Sequence, residues 1–396
     1  MSEAAAWRRT LLMAAALALG AAVSLGLARF SYALLLPPMR ADLGWSYFLG
    51  GAMNTANAAG YLVGALATPR ALTRLSARAL LVGGCATTAL LLAAHAMVLN
   101  DNALLALRLA TGIASAAVFV AGGLMAARLA VGHAKAGLVL GVYYGGTGAG
   151  IVASALLVPP LTARAAAHAW QGAWWALAAA ALAATATVAW ATRHDGRASA
   201  AHASSGAAFR WRPFGFGLAG YFMFGLGYIG YMTFVITLLR EQGLRDTQIV
   251  GFYTLLGVGV MASPWLWAGL LQRCRGGEAL ALLNGLLALA TLLPVLSRHP
   301  LAVFASGALF GSVFLSLVAS TTALVRHNLP AAGWSGGIAA FTVVFAAGQI
   351  VGPSAVGWVA DGPGGLRRGL GGSAAVLALG ALLAWAQKPL AGSAPD

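Results

Sequence analysis

Apolar runs of about twenty residues recur along this chain from one end to the other, the length a helix needs to cross the ~30 Å hydrocarbon core of a bilayer. In hydrocarbon the chain must satisfy its own backbone N–H and C=O groups, which leaves only helices or a closed barrel. The runs are too long for barrel strands and lack their alternation of apolar and polar residues, so the fold class is an all-α polytopic membrane protein. Composition agrees: of 396 residues, 60% are hydrophobic and 8% charged, which no ordinary soluble domain matches.

Twelve spans are predicted. The first six run from Leu11 to Leu36, Tyr47 to Thr68, Arg78 to Leu99, Ala103 to Ala127, Ala136 to Pro160 and Ala169 to Thr192. The second six run from Phe214 to Leu239, Ile249 to Leu271, Gly277 to Ser297, Leu301 to Val325, Trp334 to Val359 and Gly369 to Lys388. The first run is too long for the core of a cleaved signal peptide, lacks a convincing small-residue cleavage site and contains Arg29, so it is read as a membrane helix.

The formal net charge of +15 invites a polyanion partner, but its distribution argues otherwise. With twelve spans, 15 of the 24 Lys and Arg residues fall in loops on one side, 7 on the other and 2 inside spans. That asymmetry is the positive-inside signature and places both termini in the cytoplasm. The charge therefore reports topology, and no nucleic-acid partner is expected. The bias toward Arg over Lys is that of a GC-rich bacterial genome, so the expected location is a bacterial inner membrane, with the lipid bilayer as partner. Cys85 lies in the third span and Cys274 in a cytoplasmic loop, so no disulfide is expected.

Between the sixth and seventh spans lies T-R-H-D-G-R-A-S-A-A-H-A-S-S-G-A-A-F-R-W-R-P, polar, rich in small residues and basic, which reads as a flexible linker. It divides the chain into an N-terminal six-helix bundle (1–192), a cytoplasmic linker (193–212) and a C-terminal six-helix bundle (213–396). The halves match each other. A shift of 199 residues sets G-L-A-R-F-S-Y (Gly26 to Tyr32) on G-L-G-Y-I-G-Y (Gly225 to Tyr231), Asp42 on Glu241 and Gly44 on Gly243. A shift of 202 sets Gly146, Thr147 and Gly150 on Gly348, Gln349 and Gly352. Carriers built from such repeats bind substrate near the midplane between the halves and rock the halves about it.

These features carry a resemblance. G-L-A-R-F-S-Y-A-L-L-L-P-P-M, N-A-A-G-Y-L-V-G-A-L, F-G-L-G-Y-I-G-Y-M-T-F and G-Q-I-V-G-P make the chain similar to the YbfB/YjiJ-like branch of the major facilitator superfamily. Arg108-x-x-x-Gly112 resembles that superfamily's arginine motif in the fourth helix. One departure stands out: the loop after helix two, usually G-x-L-a-D-r-x-G-r, reads G-A-L-A-T-P-R-A-L-T-R, with Thr68 where an acid belongs. The resemblance implies secondary transport by alternating access. It also implies that helices one, four, seven and ten line a central cavity, which would bring Arg29 and Arg108 together there.

Those two arginines are the chemistry of the chain. A charge inside a span costs roughly 2.5–3.5 kcal/mol even on lenient insertion scales, and arginine cannot shed its proton. All nine Asp and Glu residues fall in loops or at helix ends, so the natural counter-charge is an anionic ligand. Arg29 lies seven residues from its span's outer end, about 10 Å deep, and Arg108 five residues from its own, about 7–8 Å deep. At comparable levels, two guanidiniums can clamp a carboxylate. The competing reading is that Arg108 snorkels to the interface and Arg29 bonds carbonyls at a helix break.

Tyr32, at i+3 from Arg29, and Tyr228 and Tyr231, which repeat that spacing, offer an apolar face with a hydrogen-bonding tip. Asn54, Asn57 and Tyr61 form a polar stripe on helix two, and Tyr144, Thr147 and Ser154 one on helix five; packing between helices accounts for most of these. Asn57 and Gln349, the latter in a Gly-rich setting, are candidate substrate contacts alongside the tyrosines and arginines. His95, the only span histidine, reads as a packing or interfacial residue. With no acid in the spans, the expected coupling is anion exchange, facilitated diffusion, or symport in which the substrate helps carry a proton.

The leading expectation is a monomeric carrier of a small organic anion; the alternative is efflux of amphipathic compounds through a cavity lined by Trp, Phe and Met. An integral membrane enzyme needs a nucleophile–base pair or a metal cluster, and no such spacing appears, so neither catalysis nor a cofactor is expected. No ring of charge or repeated filter suggests a channel.

Overall fold

The computed structural model describes residues 3–131, 135–163, 166–194 and 209–390, and all regular structure among them is helical. The chain opens with α1 (Glu3–Ala21), a π-helical segment (Ala22–Phe30) and α2 (Tyr32–Leu43), followed by α3 (Tyr47–Ala71), α4 (Ala77–His95), α5 (Asp101–Ala130), α6 (Ala136–Thr162) and α7 (Ala169–Ala191). The second half comprises α8 (Gly215–Glu241), α9 (Asp246–Leu266), α10 (Ala268–Arg273), α11 (Glu278–Leu296), α12 (Pro300–Asn328), α13 (Trp334–Ala360) and α14 (Gly365–Trp385).

Eleven helical stretches among the described residues are long and apolar enough to cross a membrane. The predicted second span is α3, 25 residues long, whose Asn54, Thr55 and Asn57 make it less apolar than the others. Two spans depart from a uniform α-helix. The first changes to π geometry for nine residues before resuming as α2. The eighth ends as α9 two residues after Pro264 and continues as α10, while the Trp267 indole between them donates to the Ser312 carbonyl at 2.7 Å. Local signals set several ends. The Asn100 side chain accepts from the Ala103 amide at the start of α5, the Ser76 hydroxyl from the Ala79 amide at the start of α4, and Gly44 at φ +68° closes α2.

Two compact units form. One consists of Met1–Trp45, Ala56–Ala201 and Gly243–Met261, the other of Ser46–Thr55, His202–Gln242 and Ala262–Asp396. Most of the expected linker, residues 195–208, lies outside the described residues. In the first unit α4 runs against α5 and α7, and the π-helical segment packs on α6 so tightly that a Cβ at Gly26 would sit 2.4 Å from Gly150 Cα. At one end of this unit the Asp42 carboxylate pairs with His168 at 2.5 Å and accepts from the Trp170 indole at 2.6 Å, and Asp101 accepts from the Trp45 indole at 2.7 Å.

In the second unit α8 packs on α13 and α14, and α11 on α12 and α14. The start of α3 belongs to this unit. The Asp361 carboxylate, just past α13, accepts from the Tyr47 amide at 2.7 Å and the Phe48 amide at 2.9 Å, and the Tyr47 hydroxyl donates to Glu241. Asp361 thus satisfies two of the orphan amides at the N-terminus of α3 and sits at the positive end of its dipole.

Candidate functional site

The π-helical segment positions the first arginine. Its wider turn is visible where the Ser31 amide bonds back five residues to the Gly26 carbonyl at 3.0 Å. All nine of its residues are buried, Arg29 with 3% of its surface exposed, and the Arg29 guanidinium carbon lies 5.5 Å from the Tyr61 ring centroid and 6.0 Å from that of Phe30. Arg108 comes from α5 and is 1% exposed, so it does not snorkel. Its Nη1 donates to the Ala28 carbonyl at 2.9 Å, and its guanidinium carbon lies 4.6 Å from the Tyr32 ring centroid. Arg108 thus bonds the carbonyl of the residue immediately before Arg29. The first unit therefore gathers Arg29, Arg108, Tyr32 and Asn57, whose Nδ2 donates to the Arg108 carbonyl at 3.1 Å.

Glycines make that Asn57 contact possible. A Cβ at Gly60 would lie 2.0 Å from the Leu109 carbonyl oxygen, and one at Gly112 would lie 2.1 Å from the Asn57 carbonyl oxygen. Each helix carries a notch that receives the other's backbone, the small-residue packing on which membrane helices rely in the absence of a hydrophobic drive. The π-helix is tied in on several sides. The Ser24 hydroxyl donates to the Ser115 carbonyl at 2.8 Å, and the Tyr253 hydroxyl donates to the Phe30 carbonyl at 2.6 Å, where π geometry gives way to α.

The remaining predicted residues lie in the second unit. Gln349 on α13 donates from Nε2 to the Tyr228 hydroxyl on α8, and both are buried. Tyr228 stacks with Phe224, Phe314 and Phe345 at centroid distances of 4.6, 5.2 and 5.6 Å. Tyr231 is placed differently: its hydroxyl bonds Ser306 at 2.6 Å and its ring stacks on Phe310 at 4.1 Å. Asn54, on the same predicted stripe as Asn57, donates instead to Thr233 at 2.6 Å.

Tyr61, which faces Arg29, and Tyr253, which bonds the Phe30 carbonyl beside it, are contacts that sequence reasoning did not assign. Tyr61 was legible only as the third residue of a polar stripe, and nothing in the sequence marks Tyr253. His95, read as packing or interfacial, is fully buried and stacks on Trp174 at a centroid distance of 4.5 Å. Of the polar residues on helix five, Thr147 and Ser154 are buried, and the Ser154 hydroxyl donates to Gly150 within its own helix at 2.9 Å.

Chemically, the first unit buries two cationic guanidiniums, with a carbonyl and the faces of Tyr32, Tyr61 and Phe30 against them. A carbonyl and aromatic faces solvate a guanidinium while leaving its charge in place. Among the described residues no group of three His, Cys, Asp or Glu side chains is placed to hold a metal.

Residues 21–385 match the family described as "Uncharacterised MFS-type transporter YbfB". No curated protein sequence matches the chain. Among solved structures, a bacterial homolog of the human lysosomal transporter Spinster, inward-facing and unoccupied, is similar at 13% identity and a TM-score of 0.73, with 97% of each chain covered. The nucleoside transporter NupG is similar at 14% identity and a TM-score of 0.69, covering 96% of this chain and 99% of its own. The human organic anion transporter MFSD10 (TETRAN) is similar at 15% identity and 0.61, covering 95% and 99%. At these identities the likeness shows the fold.

Proposed function

The chain belongs to the YbfB-like family of major facilitator transporters, and from that premise we propose that it carries a small organic anion, a carboxylate, across the bacterial inner membrane by alternating access. Membership makes it a multi-pass membrane transporter and not an enzyme. The proposal adds the substrate class, a monomeric carrier of two six-helix halves, and cytoplasmic termini as the loop charges indicate.

One observation carries the substrate class: Arg29 and Arg108 are buried together, 3% and 1% exposed, in a chain whose spans contain no acid. A carboxylate offers bidentate geometry to either guanidinium, and its charge offsets the repulsion between them. Tyr32 and Asn57 hold Arg108 in place. In the second unit Tyr228, Tyr231 and Gln349 are proposed as hydroxyl and amide contacts for the same class of substrate. A second reading, efflux of amphipathic compounds, draws on the aromatic stack of Phe224, Tyr228, Phe314 and Phe345, which suits flat apolar ligands.

The test is thermal stabilisation of the purified protein by lactate, pyruvate, benzoate and succinate, alongside Arg29→Ala and Arg108→Ala. A ligand at a hundred times its Kd stabilises the native state by about 2.7 kcal/mol. Stabilisation by carboxylates that either variant abolishes supports the anion reading. Stabilisation only by neutral or cationic amphiphiles, equal in the variants, transfers support to efflux.

A further inference from the structure

A second group of arginines lies at the other end of the first unit. Arg128 follows Arg108 by 20 residues along α5, about 30 Å of helix, and Arg9 precedes Arg29 by 20 residues in the first span. Arg9 and Arg128 meet Arg78, the second residue of α4, around a cavity of about 430 Å³. Both α1 and α4 pack on α5 but scarcely on each other, and the cavity occupies the wedge between their ends. Its volume is that of sites that hold small molecules, roughly 300–1,000 Å³.

The lining changes character with depth. Arg9, Met13 and Leu17 follow one another at every fourth residue on a single face of α1, so that wall runs from charge into apolar surface. Met125 lies one turn deeper than Arg128 on α5. Leu17 and Met125 are buried, Arg78 and Arg128 half-buried and Arg9 exposed. Arg78 is pinned: its Nε donates to the Thr192 carbonyl at 2.8 Å and its Nη2 to the Ala189 carbonyl at 3.1 Å, both at the end of α7. Arg9 and Arg128 make no hydrogen bond among the described residues, and none of the three pairs with a carboxylate there. The positive end of the α4 dipole, at Ser76 and Ala77, adds to the same field. Topology requires such charges only to lie on one side of the bilayer, not to face a single cavity.

We propose that this cavity is a phosphate-binding site, which takes the headgroup of an anionic phospholipid or a soluble phosphate monoester. It is separate from the Arg29 and Arg108 cluster and does not depend on the anion reading above. Guanidinium forks match phosphate oxygens in pairs, and one pinned guanidinium beside two uncommitted ones can close around such a group. The phosphate offsets three like charges that have no acid among them. Met13, Leu17 and Met125 then offer apolar surface to whatever the phosphate carries, an arrangement that suits an amphiphile. Basic pockets between membrane helices hold anionic headgroups in this way. A phosphate held jointly by Arg9 and Arg78 ties α1 to α4 across the wedge, so its binding should stabilise the unit.

The experiment uses the purified protein in detergent. Native mass spectrometry measures binding of dioctanoyl phosphatidylglycerol against dioctanoyl phosphatidylcholine. Thermal unfolding measures stabilisation by the same lipids, by glycerol 3-phosphate and by inorganic phosphate. Phosphatidylglycerol is expected to bind about tenfold more tightly than phosphatidylcholine and to raise the unfolding temperature. Arg9→Gln with Arg128→Gln, which breaks no hydrogen bond described above, should weaken that binding about thirtyfold. Arg210→Gln with Arg212→Gln removes the same charge ahead of α8 and should stay within about twofold of the wild type, as should Arg108→Ala. Met13→Trp fills the cavity with its charges intact; it should weaken binding as the double variant does, and it serves if that variant does not fold. Stabilisation by phosphatidylglycerol alone supports the site and makes a lipid its source. Stabilisation by glycerol 3-phosphate or phosphate that depends on Arg9 and Arg128 supports the site and makes a soluble compound its source. No preference for phosphatidylglycerol together with no response to either soluble phosphate overturns the inference. Equal losses in the two double variants, or unchanged binding by Met13→Trp, overturn it as well.

Discussion

Gly112→Ala tests whether the α3–α5 contact is what holds Arg108 in place. The added Cβ would lie 2.1 Å from the Asn57 carbonyl oxygen and 2.7 Å from the Tyr61 amide nitrogen, both backbone atoms that cannot rotate away. Ordinary contact begins near 3.4 Å, so the oxygen and the new carbon must part by 1.3 Å, the difference between 3.4 and 2.1. A shift of that size stretches the 3.1 Å bond from Asn57 Nδ2 to the Arg108 carbonyl beyond useful range. Overpacking costs about 1–3 kcal/mol and the lost hydrogen bond about 1, so the variant should be destabilised by about 2–4 kcal/mol. The control is Gly83→Ala on α4, where a Cβ meets nothing within 4 Å and the change should stay within about 0.5 kcal/mol. Thermal unfolding in detergent reads the difference, and pyruvate or benzoate titration reads whether Arg108 has moved, with affinity expected to fall about tenfold. If Gly112→Ala unfolds with Gly83→Ala and binds as well, the interlock does not position the arginine.

Arg108→Lys keeps the charge but loses the planar fork that bonds Ala28 and covers Tyr32; it should fold, and anion affinity by titration should drop about tenfold, whereas unchanged affinity would show that charge alone suffices. Tyr228→Phe deprives the Gln349 amide of its phenol partner and should cost about 1–3 kcal/mol in thermal unfolding, while the double change with Gln349→Leu should recover much of that. A double-mutant cycle showing no coupling between the two positions would contradict the pairing. Asp101→Asn turns a charge-assisted bond from the Trp45 indole into a neutral one; a loss of about 1 kcal/mol is expected by the same assay, and none would mean that this bond adds nothing to the first unit.

The helical architecture was legible because the bilayer imposes a length on every crossing, and the predicted ends fall within a few residues of those observed for most spans. The second span was legible despite its polar residues because it sits between two clear crossings. Comparable depth for Arg29 and Arg108 could be counted from helix ends, since a rise of about 1.5 Å per residue is fixed by geometry. The π-helical segment could not, because its extra residue per turn is held by hydroxyls distant in sequence, Ser24 on Ser115 and Tyr253 on Phe30. The stripe on α3 looked uniform, yet Asn54 turns to Thr233 and Asn57 to Arg108, a divergence set by tertiary neighbours rather than by helical phase.

The carboxylate at the start of α3 bears on time as well as on structure. Asp361 accepts two amide hydrogen bonds there, each charge-assisted, while at the far end of the same helix Thr68 only bonds back to Gly64. Parting the first turn of α3 from the end of α13 strips both bonds, and at about 1.5–3 kcal/mol each the combined cost is about 3–6 kcal/mol. Carried into an activation barrier, that slows the separation by roughly two to four powers of ten. Any transport step that requires it is slowed by one acidic side chain far along the chain from the helix it holds, alongside the Thr55 bonds to Ile350 and Ser354 on the same α13.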